Sequence, residues 1–144
     1  MTTYINLGPY NFEAFENIRS PEGIPKPIVS VANGTERHEG EWREGKMNGR
    51  GALFMVDEED KSHNGQLYQG YLKDGMMDGH GRMIFPDGSF YIGGYKEAHR
   101  EGTGTLQVHG GGKYQGEWKN DCRHGQGTER FPTGNVYKGD FLNN

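Results

Sequence analysis

Six histidines, one cysteine, a glycine run ending in lysine and a block of carboxylates are the residues of this 144-residue chain whose types could do chemistry. A protein metal site needs three or four His, Cys or carboxylate ligands at short, motif-like spacings. His38, His63, His80, His99, His109 and His124 show no such pairing among themselves or with Cys122, so neither a metal nor any other cofactor is expected. Gly110-Gly111-Gly112-Lys113 invites a phosphate-loop reading. It lacks the Gly-Lys-Ser/Thr ending, and no helix follows to present its N-terminus to a phosphate. Ser62 beside His63 has no third group to complete a nucleophilic site, and Glu58 and Glu59 read as a solvated acidic loop. Cys122 falls in a turn and reads as a surface thiol. No catalytic residue is expected, which leaves binding and architecture to account for the sequence.

The composition points to a thin structure. Only 31% of the residues are hydrophobic while 25 are glycine, too little apolar mass for a core fed from all sides, since ordering each residue costs about 1–2 kcal/mol. An aromatic content of 12% is too high for a disordered chain. A net charge of −4 gives no attraction to nucleic acid, and none to anionic lipid. The single cysteine fits a reducing compartment. No run approaches the roughly 20 apolar residues that span a bilayer, and residues 1–19 lack the apolar centre of a signal peptide. A cytoplasmic setting is expected.

The elements that hold these residues repeat. Tyr68-Gln69-Gly70, Tyr91-Ile92-Gly93, Tyr114-Gln115-Gly116 and Tyr137-Lys138-Gly139 recur every 23 residues, after an earlier unit that opens at His38-Glu39-Gly40. Each unit reads aromatic, any, Gly, any, large apolar, with Gly-x-Gly starting seven residues after the large apolar position. Trp42, Leu72, Tyr95, Trp118 and Phe141 hold the large position. Ala98 and Asp121 stand where the other units have a mid-turn glycine. Tyr68 lies 30 rather than 23 residues after His38, which places a longer acidic loop at 57–63.

Side chains alternate along a strand, so Tyr114, Gly116 and Trp118 share one face and Gln115, Glu117 and Lys119 the other. After a turn over 120–123, a second strand places Gly125, Gly127 and Phe131 on the ring face; Gly79, Gly81, Met83 and Phe85 do the same one unit pair earlier. Each unit is thus a hairpin, and consecutive hairpins build an antiparallel sheet with an aromatic face and a polar face. The glycines leave room for rings to lie on the backbone, at positions that would otherwise weaken a strand. Pro86-Asp87-Gly88, Gly110-Gly111-Gly112 and Pro132-Thr133-Gly134 close the turns between units.

This pattern resembles the MORN (membrane occupation and recognition nexus) repeat, close to Y-x-G-x-W-x-x-G-x-x-x-G-x-G, from His38 to Phe141. His38 in place of Tyr, and Leu72 in place of Trp, are departures. The resemblance implies an all-β fold: an elongated, single-layer, twisted antiparallel sheet of consecutive hairpins over 35–144, starting near 38, 68, 91, 114 and 137, with an irregular arm over 1–34. It also implies a structural adaptor that binds other protein subunits of a large assembly, in a ciliary or flagellar axoneme of the radial-spoke type or another cytoskeletal complex. Self-association through the terminal repeat at Tyr137 and Phe141 is a further implication. Phospholipid binding or membrane tethering is the alternative that the family name suggests; the scattered Arg43, Lys73, Lys96, Arg123 and Lys138 do not form the basic cluster that an anionic surface would need. Regulation of an enzyme on another chain is the third reading.

A single layer leaves its ring face to be covered by its own curl, by the arm or by a partner, and exposed apolar patches mark interaction sites. The candidate contact residues are therefore Trp42, Tyr68, Tyr91, Tyr95, Tyr114, Trp118, Tyr137 and Phe141, with internal packing of the rings as the alternative. In the arm, Asn11 can cap a short helix over 12–19 that places Phe12 and Phe15 on one side, and 27–31 reads as an added strand. The arm either caps the first hairpin or docks on a partner. The last strand, over 136–142, is an open edge that invites strand addition.

Overall fold

The computed structural model describes residues 36–55 and 65–143. The expected helix over 12–19, the strand over 27–31 and the acidic loop over 57–63 lie outside the described residues. Nine strands follow one another: β1 (Glu36–Arg43), β2 (Lys46–Met55), β3 (Leu67–Lys73), β4 (Met76–Ile84), β5 (Phe90–Lys96), β6 (His99–Gln107), β7 (Lys113–Lys119), β8 (Cys122–Arg130) and β9 (Val136–Phe141). They form one open antiparallel sheet whose strand order is the chain order, so the fold is all-β and each neighbour in sequence is a neighbour in space.

Two-residue turns fix the register of the hairpins. Glu44-Gly45, Asp74-Gly75, Glu97-Ala98 and Asn120-Asp121 all have positive φ at both positions, the arrangement whose twist matches that of the flanking strands. The turn expected over 120–123 is shorter than that, because β8 already begins at Cys122. Ala98 (φ 69°) and Asp121 (φ 66°) adopt a conformation that favours glycine. At Asp121 the side chain has a use for it: its Oδ1 accepts the Arg100 N–H at 2.8 Å. Hairpins are also tied to each other at this end, where the Gly75, Ala98 and Asp121 N–H groups donate to the Met47, Met77 and Arg100 carbonyls.

One glycine from every strand forms a row across the whole sheet. Gly40 faces Gly51, Gly51 faces Gly70, and the pairing continues through Gly81, Gly93, Gly104, Gly116 and Gly127 to Gly139. The tyrosines lie over this row. A Cβ on Gly116 would sit 2.5 Å from the Gly127 Cα and 2.6 Å from the Tyr114 hydroxyl oxygen, so neither the strands nor the ring would tolerate it. The other glycine of each Gly-x-Gly sits in a bulge opposite the next unit's large apolar residue: Gly49 faces Leu72, Gly79 Tyr95, Gly102 Trp118 and Gly125 Phe141.

The core lies on this ring face. Met47, Leu53, Tyr68, Leu72, Met83, Tyr91, Tyr95, Tyr114, Trp118 and Phe141 make one buried cluster, with Trp42, Met77, Phe85 and Leu106 packed against it. Phe85 and Phe131 both lie just past their strands; Phe85 joins the core, whereas Phe131 is exposed. The other face departs from the polar face expected from the sequence. From β6 to β8 it is polar, with Gln107, Lys113, Arg130 and Thr105, Gln115, Thr128 as cross-strand rows. From β2 to β5 the same rows hold Phe54, Leu67, Ile84 and Phe90 beside Ala52, Gln69, Arg82 and Ile92. The alternation of β7 does not carry over to β3 and β4, where Tyr71, Arg82 and Ile84 are buried.

Candidate binding surface

The rings interlock by a fixed rule. Within a unit, the tyrosine meets the large residue four positions on, as in Tyr91–Tyr95, Tyr114–Trp118 and Tyr137–Phe141; between units, it meets the one 27 positions on, as in Tyr68–Tyr95, Tyr91–Trp118 and Tyr114–Phe141. All six contacts are edge to face, with centroids 4.9–5.3 Å apart and planes at 80–90°, a geometry worth roughly 0.5–1.5 kcal/mol each beyond burial. Each tyrosine hydroxyl donates to the carbonyl three residues on: Tyr68 to Tyr71 at 2.6 Å, Tyr91 to Gly94 at 3.0 Å, Tyr114 to Glu117 at 2.8 Å and Tyr137 to Asp140 at 3.0 Å. The ring thus lies flat along its own strand. Two guanidinium groups lie over rings of this stack, Arg100 at 4.4 Å from the Trp118 ring and 5.7 Å from that of Tyr91, and Arg123 at 5.4 Å from the Phe141 ring and 5.5 Å from that of Tyr114, an added cation–π attraction. Burial pushes the Tyr91, Tyr95 and Tyr114 hydroxyls above the ordinary tyrosine range.

Of the two readings of the ring face, contact with a partner or internal packing, the burial of the rings favours packing. Tyr68, Tyr91, Tyr95, Tyr114, Trp118 and Phe141 are buried, and Trp42 is half-buried, because rings of successive units shield one another. Tyr137 is the exception at 45% exposed, where the corresponding Tyr68, Tyr91 and Tyr114 show at most 2%. Among the described residues it has Phe141 on one side and no second ring on the other. Phe12 and Phe15 lie outside the described residues.

Beside Tyr137, the final edge exposes apolar side chains that sequence reasoning did not select: Phe131, Val136 and Leu142, the last at 72%. The repeat held the signal. Val136 occupies the row of Leu67, Phe90 and Lys113, and Phe131 that of Phe85 and Val108; both rows become more exposed toward the end of the sheet. β9 pairs with β8 and, among the described residues, with nothing on its other edge.

Charged groups gather at the hairpin turns. Burial pushes the Asp121 carboxyl up, but hydrogen bonds from the Arg100 N–H, His99 and the Arg100 guanidinium outweigh it and leave the group below the ordinary carboxylate range. His99 Nδ1 is 2.6 Å from Asp121 Oδ2. The Ser89 N–H and hydroxyl hold Asp87 low, and burial lowers His80. Among the described residues no three His, Cys, Asp or Glu side chains gather as a metal site would require. None of the described residues forms a helix long and apolar enough to cross a membrane. The surface offers an apolar edge and hydrogen-bonded turns, features suited to binding.

The family model for the MORN repeat matches residues 38–53, 68–90 and 114–136. These segments are the β1–β2, β3–β4 and β7–β8 hairpins, and the intervening β5–β6 hairpin repeats their glycine register and ring contacts although Tyr95 and Ala98 depart from the pattern. No curated protein matches the chain. MORN repeats are generally modules that bind protein or lipid. With three hairpins matched in sequence and a fourth sharing their geometry, the chain is a MORN-repeat protein.

Proposed function

We propose that this chain is a non-catalytic adaptor that binds other protein subunits through the β9 edge of its sheet. The observation that carries this is the contrast between Tyr137, 45% exposed, and its buried counterparts in earlier units. A strand edge with free backbone donors and acceptors accepts another strand, and here Val136, Tyr137 and Leu142 add an apolar contact that such addition would bury. The partner is another subunit of a large cytoplasmic assembly; a ciliary or flagellar axoneme, of the radial-spoke type, is the setting that the MORN resemblance supports. A second copy of the chain is the other protein that this edge fits.

Affinity capture of the full chain at native abundance, with a Val136→Lys, Tyr137→Ala double variant beside it, tests the reading. A defined set of subunits held by the wild type and lost by the variant is expected. Equal capture by both would reject the edge, and a set made of membrane-junction or mitochondrial proteins would reject the axonemal setting. Light scattering on the purified chain separates self-association from hetero-association. Flotation with anionic liposomes is expected to show no salt-sensitive binding, since the basic residues are scattered.

A further inference from the structure

Two buried hydrophobic side chains stand apart from the ring-face core. Tyr71 is 1% exposed and Ile84 4%, yet neither belongs to the cluster that joins Tyr68, Tyr91 and Trp118. The register explains why. Tyr71 lies between Gly70 and Leu72, and Ile84 follows Met83, so both stand on the opposite face. The nine described strands all lie in one sheet, so no described element lies over that face, and its rows, Phe54, Leu67, Ile84, Phe90 and Ala52, Gln69, Arg82, Ile92, hold no line of glycines on which rings could lie flat and shield one another as they do on the core face. The burial exists within one chain, so a second copy is not needed to account for it.

The sequence outside the described residues offers few covers. Residues 56–64 read Val-Asp-Glu-Glu-Asp-Lys-Ser-His-Asn, with one apolar side chain and four carboxylates, and cannot desolvate a tyrosine and an isoleucine. Residues 1–35 carry Tyr4, Tyr10, Phe12, Phe15, Ile18 and Ile28, and they join the sheet at β1. The apolar patch runs from β2 to β5, about 15 Å at a strand spacing of about 4.8 Å. Thirty-five residues extend several times that distance at about 3.3 Å each. The patch also ends where such a cover would: past Phe90 its row continues as Gln107, Lys113 and Arg130.

We propose that residues 1–35 dock in cis on the face of β2 to β5 opposite the ring core, with Tyr71 and Ile84 as anchors. The first half of the sheet then has two layers and the second half one. This surface is separate from the β9 edge, so either can fail without the other.

Isotope-edited NMR on the full chain tests it. Cross-relaxation from the Tyr71 ring and the Ile84 methyls to protons of residues 1–35 is expected. Contacts to residues 56–64 alone, contacts that appear only between chains in a mixed-label sample, or no contact would each overturn the proposal. Tyr71→Ala and Ile84→Ala, made separately in the full chain, are expected to speed amide exchange in residues 1–35 by about tenfold or more while leaving the Trp118 indole signal in place. Unchanged exchange in every variant that folds would overturn it as well; Ile84→Ala, at the end of β4, serves if Tyr71→Ala does not fold.

Discussion

The first and second halves of the sheet share one face and differ in the other. From β1 to β9 the ring face repeats the same glycine row, and its five large positions are filled by Trp42, Leu72, Tyr95, Trp118 and Phe141 with little change in role. The opposite face changes character between β5 and β6: Phe54, Leu67, Ile84 and Phe90 give way to Gln107, Lys113 and Arg130. The repeat thus specifies a scaffold, whereas the positions that the repeat leaves free specify what that scaffold contacts. The turn after Gly in each unit shows this on a small scale. Glu41 and Glu117, one residue past the row glycine, accept the Arg50 N–H at 2.9 Å and the Gln126 N–H at 2.5 Å; at the corresponding place in β3, Tyr71 is turned to packing, and in β5 Gly94 leaves the site empty of side chain.

The shared face is where the largest losses are expected. Trp118→Ala removes a ring that touches Tyr91 and Tyr114 and should cost about 3–5 kcal/mol in urea unfolding; a loss near zero would mean that the rings do not form the core. The contrast between halves is sharpened by a matched pair on the opposite face. Tyr71→Ala should cost about 3 kcal/mol or more, and Gln115→Ala, on the exposed second face of β7, less than about 0.5 kcal/mol. Equal costs would erase the distinction. Gly116→Ala forces a methyl against the Gly127 Cα and the Tyr114 hydroxyl, an overpacking worth about 1–3 kcal/mol, and should loosen the Tyr114–Phe141 contact in the same measurement.

Acid separates the halves by group. His80, in β4, has its pKa lowered by burial from 6.5, so folding favours its neutral ring. That contribution is whole above the ordinary histidine value and is lost as the pH falls through 6.5 toward the folded one. Asp121, between β7 and β8, is held below 3.8, so its contribution is whole above the ordinary carboxylate value and is lost only as the pH falls through the lower folded one. Melting temperatures followed down the pH scale should therefore show a near-neutral limb abolished by His80→Gln and an acid limb reduced by Asp121→Asn. The smallest effect is a gain: Ala98→Gly relieves a positive φ, and the strain of about 1–2 kcal/mol is partly offset by the freedom glycine adds to the unfolded chain, for a net stabilisation of about 0.5 kcal/mol in thermal unfolding.

Much of the fold was legible because the ring face is local. Tyr114, Gly116 and Trp118 announce a strand by alternation, the 23-residue period announces the next hairpin, and a turn of two residues fixes the pairing; none of this needs distant parts of the chain. The candidate surface was less so. Tyr68 and Tyr137 occupy the same motif position, but one is enclosed by neighbouring units and the other stands at an edge, and no window of sequence distinguishes them. Ile84 and Arg130 likewise hold one row of the opposite face with different surroundings.

The sequence by itself determined that successive hairpins lie side by side with glycine under every ring, because strand alternation and the steric need for a bare backbone both act within a few residues. Only the tertiary structure decided which rings are enclosed, which half of the sheet buries side chains on both of its faces and which edge of the described strands stays open, because burial depends on what lies around a side chain in space, and for the rings that is settled by residues 27 positions away.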